Sequence, residues 1–269
     1  MRKREIILSI AGSDSGAGAG IQADIKSAAA CGGYCATAIT ALTSQNTAGV
    51  QAIDIIPAKT VETQIDSVLT DLYVKAVKTG MLPSKAIVDI VARKIEEYDI
   101  PYLVLDPVMV STSGHTLVEP DVANHIIARL FPLTTLVTPN IPEAEFISRH
   151  SIHSPKDFDK IAEIFKDKGC KALLLKAGHL DTGTLTDHLY DFQTDTLTRY
   201  SFPKLNTPNT HGTGCSLSSA IATYLTAGFP IPEAVAKAEE FLHKAIENGI
   251  NYKYGSGHGP INHFYKLTE

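Results

Sequence analysis

The sequence predicts a three-layer α/β/α fold built on a mostly parallel central sheet. Three observations carry that reading. Short apolar runs rich in β-branched residues recur along the chain, and most end at Gly, Pro or Asn. Helical patterns lie between them. No linker, internal repeat or low-complexity tract interrupts the 269 residues, so one domain over 1–269 is expected. Strands that alternate with helices form a parallel sheet covered on both faces.

The elements follow in order. "EIILSIAG" is the first strand: basic residues precede it, but its apolar stretch is short and runs into Gly12 and Asp14, unlike a secretory signal. "CATAITALTS", "IDIIP", "AVKTGM", "YLVLDPVM", "TTLVTPN" and "KALLLKAGH" continue the series. Between strands, Val61, Ile65, Val68, Leu69 and Leu72 fall on one helical face. Near the end Val235, Ala238, Leu242, Ala245 and Ile246 do the same, behind Pro232 as a first-turn residue. "HLYDFQTDTLTRYSF" differs, with two strand-like pieces around polar residues, and predicts an antiparallel edge hairpin.

Composition excludes several classes. A hydrophobic content of 44%, a charged content of 20% and a formal charge of −5 are those of a globular chain, and no dense basic run invites nucleic acid. Residues 27–53 and 205–232 contain no Asp, Glu, Lys or Arg, but glycines, prolines and polar residues break both, so buried core and ligand-lining loops are expected, not membrane spans. Cys31, Cys35, Cys170 and Cys215 show no paired metal spacing and suit a reducing compartment, so a cytoplasmic location is expected.

In such a sheet, ligands bind at the carboxyl ends of the strands. The residues there are small, polar or charged: Gly12 and Asp14, Gln45 and Asn46, Gly80 and Met81, Asp106, Asn140 and Glu143, Lys176 and Gly178. "GSDSGAGAG" fails the dinucleotide pattern, because counting from Gly16 and Gly18 the third glycine position is Ile21. It is either a loop that lets backbone approach a ligand or a tight strand-to-helix turn. "NTHGTGC" is more specific. Gly212 and Gly214 can turn successive N–H groups toward one point ahead of a helix, which favours a phosphate and favours the Cys215 thiolate; the alternative is a glycine turn beside a core cysteine. Asp106 and Glu143 supply the sparse carboxylates that Mg²⁺ prefers in phosphoryl transfer, although Asn140 and Glu143 also have capping-box spacing. Lys176 ends an apolar strand, where its ammonium needs an anion such as a triphosphate unless it reaches the surface.

"AGSDSGAGAGIQADIK", "ITALTSQNT", "KTGML", "LDPVM", "TPNIPEA", "KAGH", "HGTGC" and "GHGP" occur in order over nearly the whole chain. Together they resemble the hydroxymethylpyrimidine and phosphomethylpyrimidine kinases of thiamine biosynthesis, within the ribokinase-like superfamily. The resemblance implies ATP and Mg²⁺ as cosubstrates and two successive phosphorylations of 4-amino-5-hydroxymethyl-2-methylpyrimidine. It implies that Gly212, Thr213, Gly214 and Cys215 form the anion hole, with Cys215 at the position of the catalytic base. Gly12, Asp24, Gln45, Met81 and Val108 would bind the pyrimidine, Asn140, Lys176, Thr213 and Gly214 the nucleotide, and Asp106 and Glu143 the metal. Asp24 is also readable as an ordinary first-turn helix aspartate. "STSGH" falls where the family has a lid.

Pyridoxal kinase is the near alternative, lowered by the lack of a cysteine in residues 107–118. A nicotinamide dehydrogenase and a non-enzymatic nucleotide sensor fit less well, given the missing third glycine and the intact Asp106, Lys176 and GTGC. His258 and His263 read as structural, the role of His211 stays open, and a homodimer is compatible with this reading.

Overall fold

The computed structural model describes residues 5–109, 117–177 and 183–267. In chain order the elements are β1 (Ile6–Asp14), α1 (Gly20–Ala30), β2 (Tyr34–Asn46), β3 (Gly49–Ile55), α2 (Ala58–Leu69), β4 (Ala76–Thr79), α3 (Lys85–Glu97), β5 (Tyr102–Leu105), α4 (Pro120–Leu130), β6 (Leu136–Val137), α5 (Ile141–Ser148), α6 (Phe158–Asp167), β7 (Ala172–Leu175), β8 (Thr184–Asp191), β9 (Thr196–Pro203), α7 (Thr213–Thr226) and α8 (Ile231–Glu247). One sheet takes all the strands in the order β3-β2-β1-β4-β5-β6-β7-β8-β9. The strands from β2 to β7 pair in parallel.

Both edges are antiparallel. The expected hairpin is β8–β9. At the other edge β3 turns back on β2, because Thr47 and Ala48 alone separate the two strands and a parallel crossover needs a dozen residues or more. "IDIIP" is therefore an edge strand rather than a member of the parallel series.

Period-two alternation builds a core on each face of the sheet. Leu103 and Leu105 of β5 join Val61, Ile65, Val91, Ile126 and Phe165 on one side. Val104 joins Leu217, Ile221, Leu225, Val235 and Phe241 on the other. α7 is buried almost all round, from Ser216 to Thr223 without a break, which explains the uncharged tract at 205–232. Leu72 lies beyond the end of α2 but still packs against the first core. No described helix is long and apolar enough to cross a membrane.

Candidate active site

Two glycine loops meet at the carboxyl end of the sheet. The first joins β1 to α1 and folds around its own aspartate: the N–H groups of Gly16, Gly18 and Ala19 donate to the Asp14 carboxylate at 2.8, 3.0 and 2.8 Å. Burial pushes the Asp14 carboxyl upward, but the bond to His211 Nε2 at 2.8 Å and these amides outweigh it and hold the group below its usual range. Gly20 sits at φ 56°, where a Cβ would collide with the Gly12 carbonyl. The loop is thus the tight strand-to-helix turn, its nest filled from within.

The second loop lacks an internal anion. Gly212, at φ 82°, is the N-cap of α7, and no side chain caps that helix. The helical ladder starts with the Ser216 N–H donating to the Gly212 carbonyl at 2.9 Å, which leaves the amides of Gly214 and Cys215 outside it. A Cβ on Gly212 would overlap the Gly18 carbonyl, and a Cβ on Gly18 would overlap the His211 ring. The two loops therefore interlock through their missing side chains.

Both loops wall a single cavity of about 850 Å³. Gly12, Gln45, Met81 and Val108 line it together with Gly212, Thr213, Gly214 and Cys215. Asp106, Asn140, Glu143 and Lys176 line it too. A register shift between Ser44 and Gln45 in the β2–β3 ladder re-aims the strand where Gln45 enters the wall. Lys176 pairs with Asp106 at 3.4 Å, and a Cβ on Gly214 would stand 3.3 Å from the same ammonium. Burial works against that charge, yet Asp106 and Glu143 outweigh it and hold Lys176 above its ordinary value.

Asn140 and Glu143 form a complete capping box on α5, with both bonds at 2.9 Å, and still face the cavity. Burial and the nearby Asp106 charge raise the Glu143 carboxyl to about 7, against the pull of Lys176 and two backbone amides. Two carboxylates crowded in this way suit a divalent cation that keeps several waters, as Mg²⁺ does. Among the described residues no group of three or more His, Cys, Asp or Glu side chains forms a protein-only metal cage.

Two expectations need correction. The Cys215 thiolate is not favoured: burial is the largest effect, the charges of Asp24 and Asp106 add to it, and together they push the thiol up to about 12 despite the Lys78 ammonium. Asp24 does not reach the cavity. Its side chain is 0% exposed and bound to Lys78 at 2.8 and 3.0 Å, with Ser9 and Ser219 donating at 2.5 and 2.7 Å. Nor is it a first-turn residue, since α1 begins at Gly20 and carries no acidic residue in its first turn. Removing one partner of such a buried pair costs ~3–5 kcal/mol, so loss of Asp24 acts through the fold. Gly178 and the "STSGH" segment at 111–115 lie outside the described residues.

Comparison with known proteins now decides the family, because the sequence profile described as phosphomethylpyrimidine kinase matches residues 14–262. The chain belongs to that family. This kinase is 44% identical over 262 residues to the hydroxymethylpyrimidine/phosphomethylpyrimidine kinase of Rhizobium meliloti, with 97% of each chain covered. It is also 44% identical to the thiamine biosynthesis bifunctional protein ThiED of Geobacter sulfurreducens, of which it spans 52%, about half its length. The phosphomethylpyrimidine kinase structure from Clostridium difficile superposes with a TM-score of 0.80 at 40% identity, covering 90% of this kinase and 100% of that chain. The Staphylococcus aureus pyridoxal kinase in complex with AMP-PCP and pyridoxal superposes with a TM-score of 0.88 at 32% identity, covering 97% and 94%.

Sequence reasoning missed three residues of the kinase cavity. His211 joins Asp14 to the Gln45 amide, which lies 3.0 Å from its Nε2; a histidine beside the anion loop was the signal. Asp187 and Glu239 line the cavity as a second acidic pair. Burial lifts both carboxyls, and Asp187 further raises Glu239 well above the carboxylate range. Glu239 left a trace in the sequence: an acidic residue on the apolar face of α8, between Ala238 and Leu242.

Proposed function

We infer that the protein, acting as one kinase unit over 1–269, transfers the γ-phosphoryl group of ATP to the hydroxymethyl group of 4-amino-5-hydroxymethyl-2-methylpyrimidine and then adds a second phosphoryl to the monophosphate. One observation carries this reading: the open amides ahead of Cys215 and the Gln45 carboxamide share a cavity with Lys176 and Asp106. Family membership supports the chemistry, and the nucleotide-bound pyridoxal kinase structures support ATP as donor.

Each group then has a task. Met81 and Val108 clasp the ring while Gln45 hydrogen-bonds its edge. The Gly214 and Cys215 N–H groups meet the negative charge that develops on the moving phosphoryl, and Lys176 pairs with the nucleotide phosphates. Asp106 and Glu143 would hold Mg²⁺, which when bound neutralises the β- and γ-oxygens. Cys215 keeps its proton and positions the acceptor oxygen instead of acting as a strong base. A loose transition state permits this: the hydroxyl proton stays until the new P–O bond is largely made and then passes to a phosphoryl oxygen. A neutral thiol also leaves room for the phosphate of the second acceptor, which a carboxylate would repel.

The test is direct. Purified protein is given ATP and Mg²⁺ with the hydroxymethylpyrimidine, its monophosphate or pyridoxal, and added phosphates are scored by mass spectrometry. Two additions to the pyrimidine are expected; none would end this reading. Addition to pyridoxal alone would establish the second reading, vitamin B6 kinase, which the superposition on pyridoxal kinases favours.

A further inference from the structure

The wall of the cavity around Gln45 poses a hydrogen-bond conflict whose resolution gives His211 a task. His211 Nε2 lies 2.8 Å from Asp14 Oδ2 and 3.0 Å from the end of the Gln45 carboxamide drawn as Nε2, an assignment that a flip of the amide reverses. Thr43 Oγ lies 3.0 Å from the Ser13 carbonyl oxygen and 3.3 Å from the other end of that carboxamide. An ionised carboxylate only accepts, so His211 Nε2 must carry a proton. A donating nitrogen needs a carbonyl oxygen opposite it, not an NH₂ group. At the far end, Thr43 has one hydroxyl proton, and the Ser13 carbonyl takes it. Its lone pairs are then left to accept. One orientation of the carboxamide fits both ends, with Oε1 toward His211, where it shares the Nε2–H with Asp14 Oδ2, and the NH₂ toward Thr43. The reverse sets two donors, the His211 N–H and the Gln45 NH₂, face to face at 3.0 Å, and this clash decides against it.

The contact at His211, shorter than the 3.3 Å one at Thr43, carries most of the selection, and Thr43 is compatible with it. One N–H of Gln45 goes to Thr43, and the second is left for whatever occupies the cavity that Gln45 lines. We propose that His211 is a positioning residue for substrate selection: bridged to Asp14, it fixes Gln45 with an N–H toward the heterocycle, so the site selects rings that present an unprotonated nitrogen acceptor at that edge. This rests on the reading that the heterocycle lies against Gln45. The lock itself is a property of the protein without substrate. It also explains why the first glycine loop keeps Asp14 at its centre: the same carboxylate that folds the loop sets which nitrogen of His211 bears the proton.

Two measurements on the full chain test it. In ¹⁵N NMR of the histidine side chains without ligand, His211 Nε2, assigned by its loss in His211→Leu, is expected at the protonated position. An unprotonated Nε2 overturns the proposal whatever the enzyme's substrate. In kinetics, the hydroxymethylpyrimidine is compared with its two pyridine analogues, each with one ring nitrogen replaced by C–H. The wild-type protein is expected to lose roughly a hundredfold in kcat/KM on one of the two, mostly through KM, since one buried donor is left unpaired. In His211→Leu that discrimination should shrink to below about tenfold. Gln45→Glu, which still accepts from His211 but has no N–H to give, should bring the parent compound down to the level of the poor analogue. If the pyrimidine is turned over but neither analogue is disfavoured, or if His211→Leu and Gln45→Glu both keep the full discrimination, the proposal is wrong. If no pyrimidine is phosphorylated at all, the functional reading fails and the NMR result alone decides the lock.

Discussion

Residues 14–20 and residues 209–215 are both glycine-rich turns that lead into a helix at the same end of the sheet, yet one is closed and the other open. In the first, three backbone N–H groups converge on Asp14. In the second, no side chain caps α7, and the Gly214 and Cys215 amides stay outside its ladder. A nest of amides calls for negative charge in either case. The loop that contains its own carboxylate is scaffolding, and the loop that lacks one is the anion site proposed above. Their interlock makes the contrast useful, because the filled loop holds the open one in place through Gly18 and His211.

The largest effect is expected where that interlock is broken. Gly212→Ala places a Cβ inside the Gly18 carbonyl at φ 82°, so one loop must move. Backbone strain of ~1–2 kcal/mol adds to that displacement. Urea denaturation should show a loss of about 3 kcal/mol or more, and kcat/KM should fall on the order of a thousandfold. Gly228→Ala is the control. Its φ is 90° but nothing lies within 4 Å, so it should cost only ~1 kcal/mol, with activity within about twofold. Equal effects of the two would mean that the interlock is unimportant.

The sequence makes much of this legible, and its limits have physical causes. The parallel core and the β8–β9 hairpin follow from period-two apolar runs and polar interruptions, which are local signals. The antiparallel β3 edge hinges on how few residues separate two strands, and it is easily read as one more parallel strand. Motif blocks bring Gln45, Asp106, Glu143, Lys176 and Cys215 to one cavity. Asp24 is misread because the family resemblance carries it to the substrate, whereas its partner Lys78 is far away in sequence and only folding joins them. Cys215 is misread for a similar reason. A helix N-terminus lowers a thiol's pKa, but burial beside Asp24 and Asp106 wins, and burial cannot be read from neighbours in sequence.

Giving the open loop the carboxylate that the closed loop already has sharpens the comparison. Cys215→Asp inserts an anion where the second acceptor brings its own phosphate, close to Asp106 and Asp24, whose charges already act on Cys215. The first phosphorylation should drop by about tenfold or less. The second should drop on the order of a hundredfold, because like charges at contact distances under partial screening cost a few kcal/mol. Single-turnover assays on each acceptor separate the two steps. Equal losses would refute the idea that a neutral thiol is there to tolerate the second substrate.

The smallest effect concerns what braces the open loop from behind. Ser216, which makes the first ladder bond of α7, has its hydroxyl 2.8 Å from Nε2 of the buried His263. Burial, helped by the Lys26 charge, lowers that imidazole to about 4 from an ordinary 6.5, against a bond to Ile261. The folded form therefore holds His263 neutral while the unfolded chain takes up a proton. Its stability contribution is intact above about pH 6.5, is lost progressively as the pH falls from there, and levels off below about 4. Between pH 7.5 and 5 the loss should be at most about 2 kcal/mol. His188 is depressed as well, so the quantity to measure is the difference between wild type and His263→Gln, which keeps a side chain able to bond Ser216 but does not titrate. Unfolding free energies of the two should converge as the pH falls from 7.5 to 5. Parallel curves across that range would show that burial does not hold His263 neutral in the folded protein.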